Sequence, residues 1–259
     1  MTRILLSGAG GWIGAKLREH LSRKKHTVIS VGEHVLHSDG FSRLSIGHFD
    51  RLNLVRDDIL VLCGASYYKG NAEDKLAEMV AYNVDYTTKL IDQFIARGGS
   101  KILFFSSYLQ LFENDRVPYA EAYVYSKDTV LSYLKNLASV ELLNIYLYDN
   151  WGKGDKRSKF LPLLLNALRT GSRFEIPSPG TLINLCTTES LIRTLSSLIE
   201  NFEARQWSLC APKTHTLKEV AAAFIRSENG DECVTFGSVP PLVRQLPFVD
   251  RLELENIRI

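Results

Sequence analysis

The sequence predicts an α/β protein built on a doubly wound parallel sheet, followed by a smaller lobe. Short, almost entirely apolar runs alternate with helical patterns through the first 150 residues, which is typical of strands buried on both faces. The first apolar run leads directly into closely spaced glycines. Because strand, helix and strand repeat in that order, right-handed crossovers place the strands in one sheet. Ligands of such sheets bind at the carboxyl ends of the strands.

Each element is assigned from its own pattern of apolar residues. After Asn150 that pattern loosens into turns rich in Gly, Lys, Asp and Pro. We therefore predict one domain over residues 1–150 and a smaller lobe over 151–259, some elements of which return to the sheet. The predicted strands are 3–7, 27–31, 59–63, 101–105 and 142–147, and the predicted helices are 13–22, 72–96, 120–138, 160–168, 189–200 and 217–226.

Composition excludes several classes of protein. The 31 basic and 29 acidic residues leave a net charge of +2, so no excess field attracts nucleic acid or an anionic membrane. The four cysteines lack CxxC spacing and have no histidine cluster beside them, so we expect reduced thiols and no metal site. No segment reaches the roughly 20 apolar residues of a membrane span. We expect a cytoplasmic protein.

The glycines after the first strand indicate a nucleotide cofactor. Gly8, Gly11 and Gly14 follow the spacing GxxGxxG at a strand-to-helix turn. Gly8 allows a tight turn, Gly11 lets the backbone approach a phosphate, and Gly14 lets the helix pack on its strand. The helix N-terminus at Trp12 and Ile13 then offers N–H groups to the anion. Residues 1–150 are therefore predicted to bind a dinucleotide, although a glycine-rich turn without a ligand is the alternative.

A tyrosine and a lysine lie four residues apart in the predicted helix 120–138. Tyr123 and Lys127 project from one helix face, where a cation lowers the pKa of a phenol toward that of a working acid or base. Ser107 ends an apolar strand, where its hydroxyl could polarise a substrate oxygen. A Tyr/Lys pair can also be helix surface, and Ser106-Ser107 can be a turn or cap. Their order after the glycine turn favours the catalytic interpretation.

These residues resemble the extended short-chain dehydrogenase/reductases, the NAD-dependent epimerase/dehydratase family of nucleotide-sugar enzymes, which have a Rossmann fold and a small C-terminal substrate-binding lobe. The similar segments are 7–14, 62–65, 83–87 and 150–155, with Tyr86, Trp151 and Lys153 as departures. The resemblance implies that Ser107 orients the reacting oxygen, Tyr123 transfers the proton, and Lys127 holds the nicotinamide ribose. The cofactor contacts that it implies are Gly8, Gly11, Trp12, Ile13, Gly32, Cys63, Gly64, Ala65, Tyr123 and Lys127.

Departures from the family's motifs reduce the number of reactions that we expect this protein to catalyse. Dehydratases of the family have an acidic pair directly after the catalytic hydroxyl, and one epimerase branch has a cysteine there. Here Tyr108 and Leu109 occupy those positions. We therefore expect simple reduction of the 4-keto group of a nucleotide-diphosphate-linked 4-keto-6-deoxy sugar, for deoxysugar and surface polysaccharide (lipopolysaccharide) biosynthesis. A 4-epimerase that retains NAD and a non-catalytic dinucleotide sensor remain alternatives.

The end of the second strand bears on the choice of cofactor. Enzymes that retain NAD usually have an acidic residue there to bind the ribose hydroxyls, whereas this strand ends at Gly32. Glu33 follows it, and no arginine stands there for a 2′-phosphate. We expect NADP(H) to be preferred over NAD(H).

The residues proposed for the substrate are aromatic, polar or basic and follow strands. The predicted substrate contacts are Tyr67, Asn150, Lys153, Arg157 and Arg173, with Tyr68, Lys69 and Lys156 as further candidates. The resemblance also implies a homodimer that pairs through the helices at 72–96 and 120–138. The sequence does not determine the base, the sugar or the stereochemistry of the product.

Overall fold

The computed structural model describes residues 2–32, 37–38, 41–45, 49, 52–67, 73–112, 120–228 and 233–257. The chain divides into two compact units. The first contains Met1–Leu147 and Ile192–Trp207, and the second contains Tyr148–Leu191 and Ser208–Ile259. Residues 192–207 thus return to the first unit after an excursion through the second.

The first unit is built on a largely parallel sheet. Its strands are β1 Arg3–Ser7, β2 Thr27–Gly32, β3 His37–Ser38, β4 Phe41–Ser45, β5 Ile59–Leu62, β6 Lys101–Ser107, β7 Glu141–Leu147 and the start of β12 Gln206–Cys210, in the order β12-β7-β6-β5-β1-β2-β4-β3. Strand β1 pairs in parallel with β2 on one side and with β5 on the other, and pairing continues from β5 to β6 and β7. The chain therefore reverses its winding direction at β1, so the crevice between β1 and β5 is the switch point where ligands of such sheets bind.

Apolar runs at the predicted positions form the core of this sheet. Leu5, Leu60 and Leu103 have no solvent exposure, as expected for strands covered on both faces. The prediction of an α/β Rossmann sheet is confirmed. Strand β6 extends two residues beyond the predicted end, because Ser106 and Ser107 continue the ladder opposite β7. The buried Ser106 hydroxyl donates to Asn144 Oδ1 at 2.7 Å, so its polarity is satisfied inside the sheet.

Helices cover this sheet, and one of them departs from the prediction. The single helix predicted at 72–96 is instead α2 Glu73–Val80, a π-helical turn Ala81–Tyr86 and α3 Thr87–Ala96. A π turn is rare and is often found at functional sites. It rotates the following residues relative to a regular helix, and Asn83 and Tyr86 are buried there. The other helices are α1 Trp12–Arg23, α4 Glu121–Lys135 and the end of α6 Thr188–Glu200.

The second unit has short strands and its own hydrophobic core. Its elements are β8 Asp149–Trp151, α5 Phe160–Thr170, β9 Phe174–Ile176, β10 Leu182–Ile183, β11 Leu185–Thr187, β13 His215–Thr216, α7 Leu217–Glu228, β14 Val234–Phe236 and β15 Arg251–Glu253. Leu164 on α5 and Val220 on α7 are fully buried at the centre of the core. Strand β8 pairs in parallel with β11, β9 with β14, and Ser208–Cys210 of β12 with β15, whereas β10 and β13 are antiparallel.

Two further observations concern the whole chain. The four cysteines, all of which lie in the described ranges, form no disulfide. Among the residues that the structure describes, no helix has both the length and the apolar character that crossing a membrane requires.

Candidate active site

At both ends of the glycine turn, at Gly8 and at Gly14, a larger residue would clash with the backbone. Gly8 has φ of +77°, and a Cβ there would lie 2.3 Å from the backbone nitrogen of Gly64. A Cβ on Gly14 would lie 2.1 Å from the carbonyl oxygen of Gly8, so only glycine lets α1 approach the loop. At Gly11 the nearest atom would be 3.4 Å away, so sterics within the protein do not require glycine there. Two reasons for glycine remain: Gly11 is the N-cap of the following helix, where glycine is favoured over alanine, and a ligand could approach its backbone closely.

Helix α1 begins at the residue after Gly11. Gly11 is its N-cap, no side chain caps it, and its first turn contains no acidic residue. The N–H groups of this turn therefore carry partial positive charge without a competing carboxylate. Trp12 is half-buried, and the ammonium of Lys16 lies 4.2 Å from its ring centroid. These residues fit the pyrophosphate of a dinucleotide.

The loop after β5 lies against the glycine turn. The N–H of Cys63 donates to the carbonyl oxygen of Ser7 at 3.2 Å, continuing the pairing of β5 with β1. Gly64 packs between the glycine turn and helix α2–α3, because a Cβ on it would lie 2.7 Å from the hydroxyl of Tyr82. Burial raises the pKa of the Cys63 thiol to about 12, so the thiol is neutral. The segment 63–65 is thus fixed at the switch point of the sheet.

Lys127 is buried beneath this loop. Its exposed fraction is 4%, and its ammonium donates to the carbonyl oxygen of Phe105 at 2.8 Å. The ammonium lies 6.0 Å from the ring centroid of Tyr123. Burial lowers the pKa of Lys127 to about 8, while the neighbouring Cys63 raises it. The bond to Phe105 connects helix α4 to strand β6 two residues before Ser107.

The electrostatics of Tyr123 differ from the sequence-based expectation. We expected the lysine to lower the pKa of the phenol, but burial of the phenol raises it, and Tyr67 raises it further. The lysine does not offset this burial: its ammonium donates to the Phe105 carbonyl and lies 6.0 Å from the ring centroid of Tyr123. Tyr123 is therefore a neutral phenol at physiological pH, which makes it a proton donor.

Ser107 is a cap residue in the structure, and its hydroxyl can still serve the catalytic role that the sequence analysis considered. It caps a short 3₁₀ turn, Tyr108–Leu111, and its Oγ accepts the N–H of Leu109 at 3.3 Å. Its own N–H donates to Gln110 Oε1 at 2.8 Å, and Gln110 Nε2 donates to Asp128 Oδ1 at 2.9 Å. The cap fixes the Ser107 oxygen, and its O–H is the group that could donate to a substrate oxygen.

Asn83 organises the site although its role was not predicted. Its Oδ1 accepts the N–H of Ser66 at 2.7 Å, and its Nδ2 donates to the Ser66 carbonyl at 2.9 Å and to Ser126 Oγ at 3.0 Å. Ser126 in turn donates to the carbonyl oxygen of Tyr123 at 2.8 Å. One amide therefore joins the loop after β5 to helix α4. The sequence signal was the resemblance of segment 83–87, but the contacts depend on the π turn.

Tyr67 lies beside Tyr123 in the first unit. The two rings meet edge to face, with centroids 5.0 Å apart and planes at 87°. Tyr67 is 46% exposed.

Gly32 is buried at the end of β2 opposite Ser45, so the strand ends without a carboxylate. Glu33, Tyr68 and Lys69, which the sequence analysis also considered, lie outside the described residues.

The candidate substrate residues of the second unit have two different surroundings. Arg157 donates through Nε and Nη2 to the carboxylate of Asp155, and through Nη2 to the backbone and side-chain oxygens of Asn150. Asn150 is buried, and its Oδ1 also accepts from Thr188 at 3.3 Å. Asn150 and Arg157 therefore hold the turn after β8 together. Lys153 and Arg173 are exposed.

A doubly wound sheet with a glycine turn at its switch point and a Tyr-Lys pair on helix α4 defines a Rossmann-fold protein of the short-chain dehydrogenase/reductase type. The chain belongs to the NAD dependent epimerase/dehydratase family, whose profile matches residues 4–185. The predicted family is thus confirmed.

Individual relatives are distant. The chain is 22% identical over 237 residues to a CDP-abequose synthase of Yersinia pseudotuberculosis, an alignment that covers 84% of this chain and 82% of that protein. It is 24% identical over 177 residues to a CDP-abequose synthase of Salmonella typhimurium, covering 64% of this chain and 58% of the relative. The structure of TunA, an NAD dependent NDP-hexosamine 5,6-dehydratase, matches with a TM-score of 0.77 at 16% identity, over 94% of this chain and 87% of TunA. That likeness shows the fold.

Proposed function

We propose that this protein reduces the 4-keto group of a nucleotide-diphosphate-linked 4-keto-6-deoxy sugar with a reduced nicotinamide cofactor. The observation that carries the proposal is the placement of a neutral phenol, Tyr123, one helical turn from a buried ammonium, Lys127, which is bonded to the strand that ends at Ser107. Family membership supports the nicotinamide cofactor.

Each group of residues has a part in holding the cofactor. The turn at Gly8 and Gly11 and the start of α1 would bind the pyrophosphate, because the first turn of α1 has no side-chain cap and no acidic residue. The segment 63–65 would lie along the dinucleotide, and Lys127 would hold the nicotinamide ribose. The reduced nicotinamide supplies the hydride when it is bound.

Protonation of the product oxygen falls to Tyr123. As the carbonyl carbon is reduced, charge develops on the oxygen, and the phenol delivers a proton to it. The Ser107 hydroxyl donates a hydrogen bond to the same oxygen and orients it. Burial raises the pKa of Tyr123, so the phenol carries the proton that this step needs. A 4-epimerase would use the same tyrosine, and the cofactor stoichiometry described below separates the two reactions.

The residues after Ser107 support reduction over dehydration. Tyr108 and Leu109 belong to the 3₁₀ turn and have no carboxyl group to assist elimination of water.

The end of β2 supports NADP(H), because Ser30, Val31 and Gly32 offer no carboxylate to the adenosine ribose. We also propose a cytoplasmic homodimer that pairs through α2–α3 and α4.

For the substrate we propose a CDP-linked sugar as the first compound to test. Two relatives are CDP-abequose synthases, which suggests the cytidine nucleotide. We assign the contacts with the diphosphate to Lys153 and Arg173, because both are exposed cations. Tyr67 is assigned to the sugar. Arg157 and Asn150 support the turn that carries Lys153.

A panel of keto sugars linked to CDP, GDP, dTDP and UDP tests the proposal, with NADPH and NADH in parallel. The absorbance of the reduced nicotinamide follows turnover, and NMR of the product identifies the new hydroxyl.

The possible outcomes separate the candidate functions. Stoichiometric oxidation of the cofactor with formation of the 4-hydroxy sugar supports the proposal. Interconversion of sugar epimers without net consumption of cofactor makes the protein a 4-epimerase. Binding of the dinucleotide with no turnover of any sugar in the panel contradicts the proposal and favours a non-catalytic dinucleotide sensor.

A further inference from the structure

We propose that Tyr67 is a positioning residue that holds the ring of Tyr123 in its reactive orientation and shields its phenol from solvent. The proposal rests on the function assigned to Tyr123 above and adds a second role for Tyr67 besides its contact with the sugar. It depends on the edge-to-face contact of the two rings, with centroids 5.0 Å apart.

The contact opposes a motion that would misdirect the phenol. A tyrosine hydroxyl moves through several ångströms when the side chain changes its χ1 rotamer, and a ring packed at 87° against it opposes that change. Tyr123 stands near the start of α4, a helix whose first turn has no side-chain cap. A proton donor that is displaced by about 1 Å can lose about a hundredfold in rate. The orientation of this phenol therefore matters for turnover.

Tyr67 is itself fixed in place, although 46% of it is exposed. The preceding residue, Ser66, is held at both its N–H and its carbonyl by Asn83, at 2.7 and 2.9 Å. The same amide reaches helix α4 through Ser126, whose hydroxyl donates to the carbonyl of Tyr123. The two tyrosines are thus joined twice, through their rings and through Asn83. Tyr67 forms the outer side of the pair because it is the more exposed of the two: Tyr67 is 46% exposed, whereas Tyr123 is half-buried.

The first test measures shielding without using activity. Tetranitromethane nitrates accessible tyrosines, and peptide mass spectrometry measures nitration at each position. Tyr125 serves as the internal reference because it is 62% exposed and lies two residues along the same helix. In the wild type we expect nitration of Tyr125 well before Tyr123. Tyr67→Leu should raise the ratio of Tyr123 to Tyr125 nitration several-fold, while Tyr67→Phe, which keeps the ring, should leave the ratio near the wild-type value.

The second test uses kinetics on the substrate that the panel identifies. Tyr67→Leu should lower kcat by about ten- to a hundredfold with an unchanged dissociation constant for the cofactor. Tyr67→Phe should restore kcat to within about threefold, because the ring contact remains, even if the KM for the sugar rises.

The results that overturn the inference differ from those that overturn the proposed function. Equal nitration ratios in the wild type and Tyr67→Leu would show that Tyr67 does not cover Tyr123, whatever the enzyme does. Equal loss of kcat in Tyr67→Phe and Tyr67→Leu would assign the effect to the hydroxyl rather than to the ring. A wild type without turnover, combined with the expected nitration pattern, would refute the reductase and leave the ring contact in place.

Discussion

Replacing Lys127 by methionine should change how the stability of the protein depends on pH. Lys127 is almost completely buried, and burial lowers its pKa from 10.5 to about 8. In the unfolded chain the ammonium keeps its proton up to the ordinary pKa. Between these two pKa values the unfolded state binds more protons than the folded state, so the free energy of unfolding rises with pH. Burial of the charge is therefore destabilising at neutral pH.

The size of the effect follows from the two pKa values. A pKa difference of one unit corresponds to about 1.4 kcal/mol, so keeping the charge buried costs about 3 kcal/mol well below pH 8. About 2 kcal/mol of this cost is relieved between about pH 7 and about pH 9.5. For a chain of this size, 2 kcal/mol corresponds to about 4–8 °C in Tm. Lys127→Met also removes the hydrogen bond to Phe105, but that loss is the same at both pH values.

Thermal unfolding of the wild type, Lys127→Met and Lys135→Met at the two pH values measures the effect. The Tm of the wild type should rise relative to that of Lys127→Met by about 4–8 °C from the lower to the higher pH. Titrating groups that do not interact with Lys127 affect both proteins equally, and Cys63, which does, has its pKa raised to about 12 by burial and keeps its proton over this pH range in the folded state. The exposed Lys135 controls for removal of a lysine from this helix. If the Tm difference between the wild type and Lys127→Met is the same at both pH values, the lysine is not the group with the lowered pKa, and the reasoning is wrong.

Three further predictions concern the first and second units. Tyr123→Phe should lower kcat by about 10²- to 10⁴-fold, because the proton donor is lost, while a fluorescence titration finds cofactor binding unchanged. Gly14→Ala should lower Tm sharply, because its Cβ would lie 2.1 Å from a loop carbonyl oxygen, whereas Gly11→Ala, with 3.4 Å to the nearest atom, should lower Tm much less and weaken dinucleotide binding. Arg157→Met should cost about 3 kcal/mol in urea unfolding, because the side chain of Asp155 is completely buried and would lose its partner.

Each of these has an opposing outcome. Full turnover by Tyr123→Phe would exclude this phenol as the proton donor. A Gly11→Ala protein that binds dinucleotide like the wild type would show that no ligand approaches this backbone. If Arg157→Met has wild-type stability and a raised KM for the sugar nucleotide, Arg157 contacts the substrate and does not stabilise the turn after β8.

Much of the fold could be predicted from local sequence. Five strands of the first sheet, β1, β2, β5, β6 and β7, were predicted within a residue or two, because each is a short apolar run bounded by polar turns. Strands β3 and β4 were not predicted. The interruption of the helix at 72–96 could not be predicted. Asn83, which lies in the π turn, is buried and hydrogen-bonded to Ser66 and Ser126, which are 17 and 43 residues distant in sequence. Helical periodicity contains no signal for a single π turn whose hydrogen-bond partners are so far away.

The candidate site was also predictable only in part. The spacing of Tyr123 and Lys127 places both on one helix face. The pKa of Tyr123 could not be derived from that spacing, because it depends on the atoms that bury the phenol and on Tyr67, which comes from a different loop. Arg157 is a similar case, since its charge suggested a phosphate contact, and its partner Asp155 is only two residues away but fully buried.

By itself the sequence determined the alternation of strands and helices, the glycine turn and the family, because each of these is written in residues that are close together in the chain. The tertiary structure decided which strands adjoin, which loop meets the glycine turn at Gly64, and whether each charged or phenolic side chain is solvated. These properties depend on desolvation and on contacts between segments tens of residues apart. Local patterns cannot specify them, because burial is a property of the packed chain.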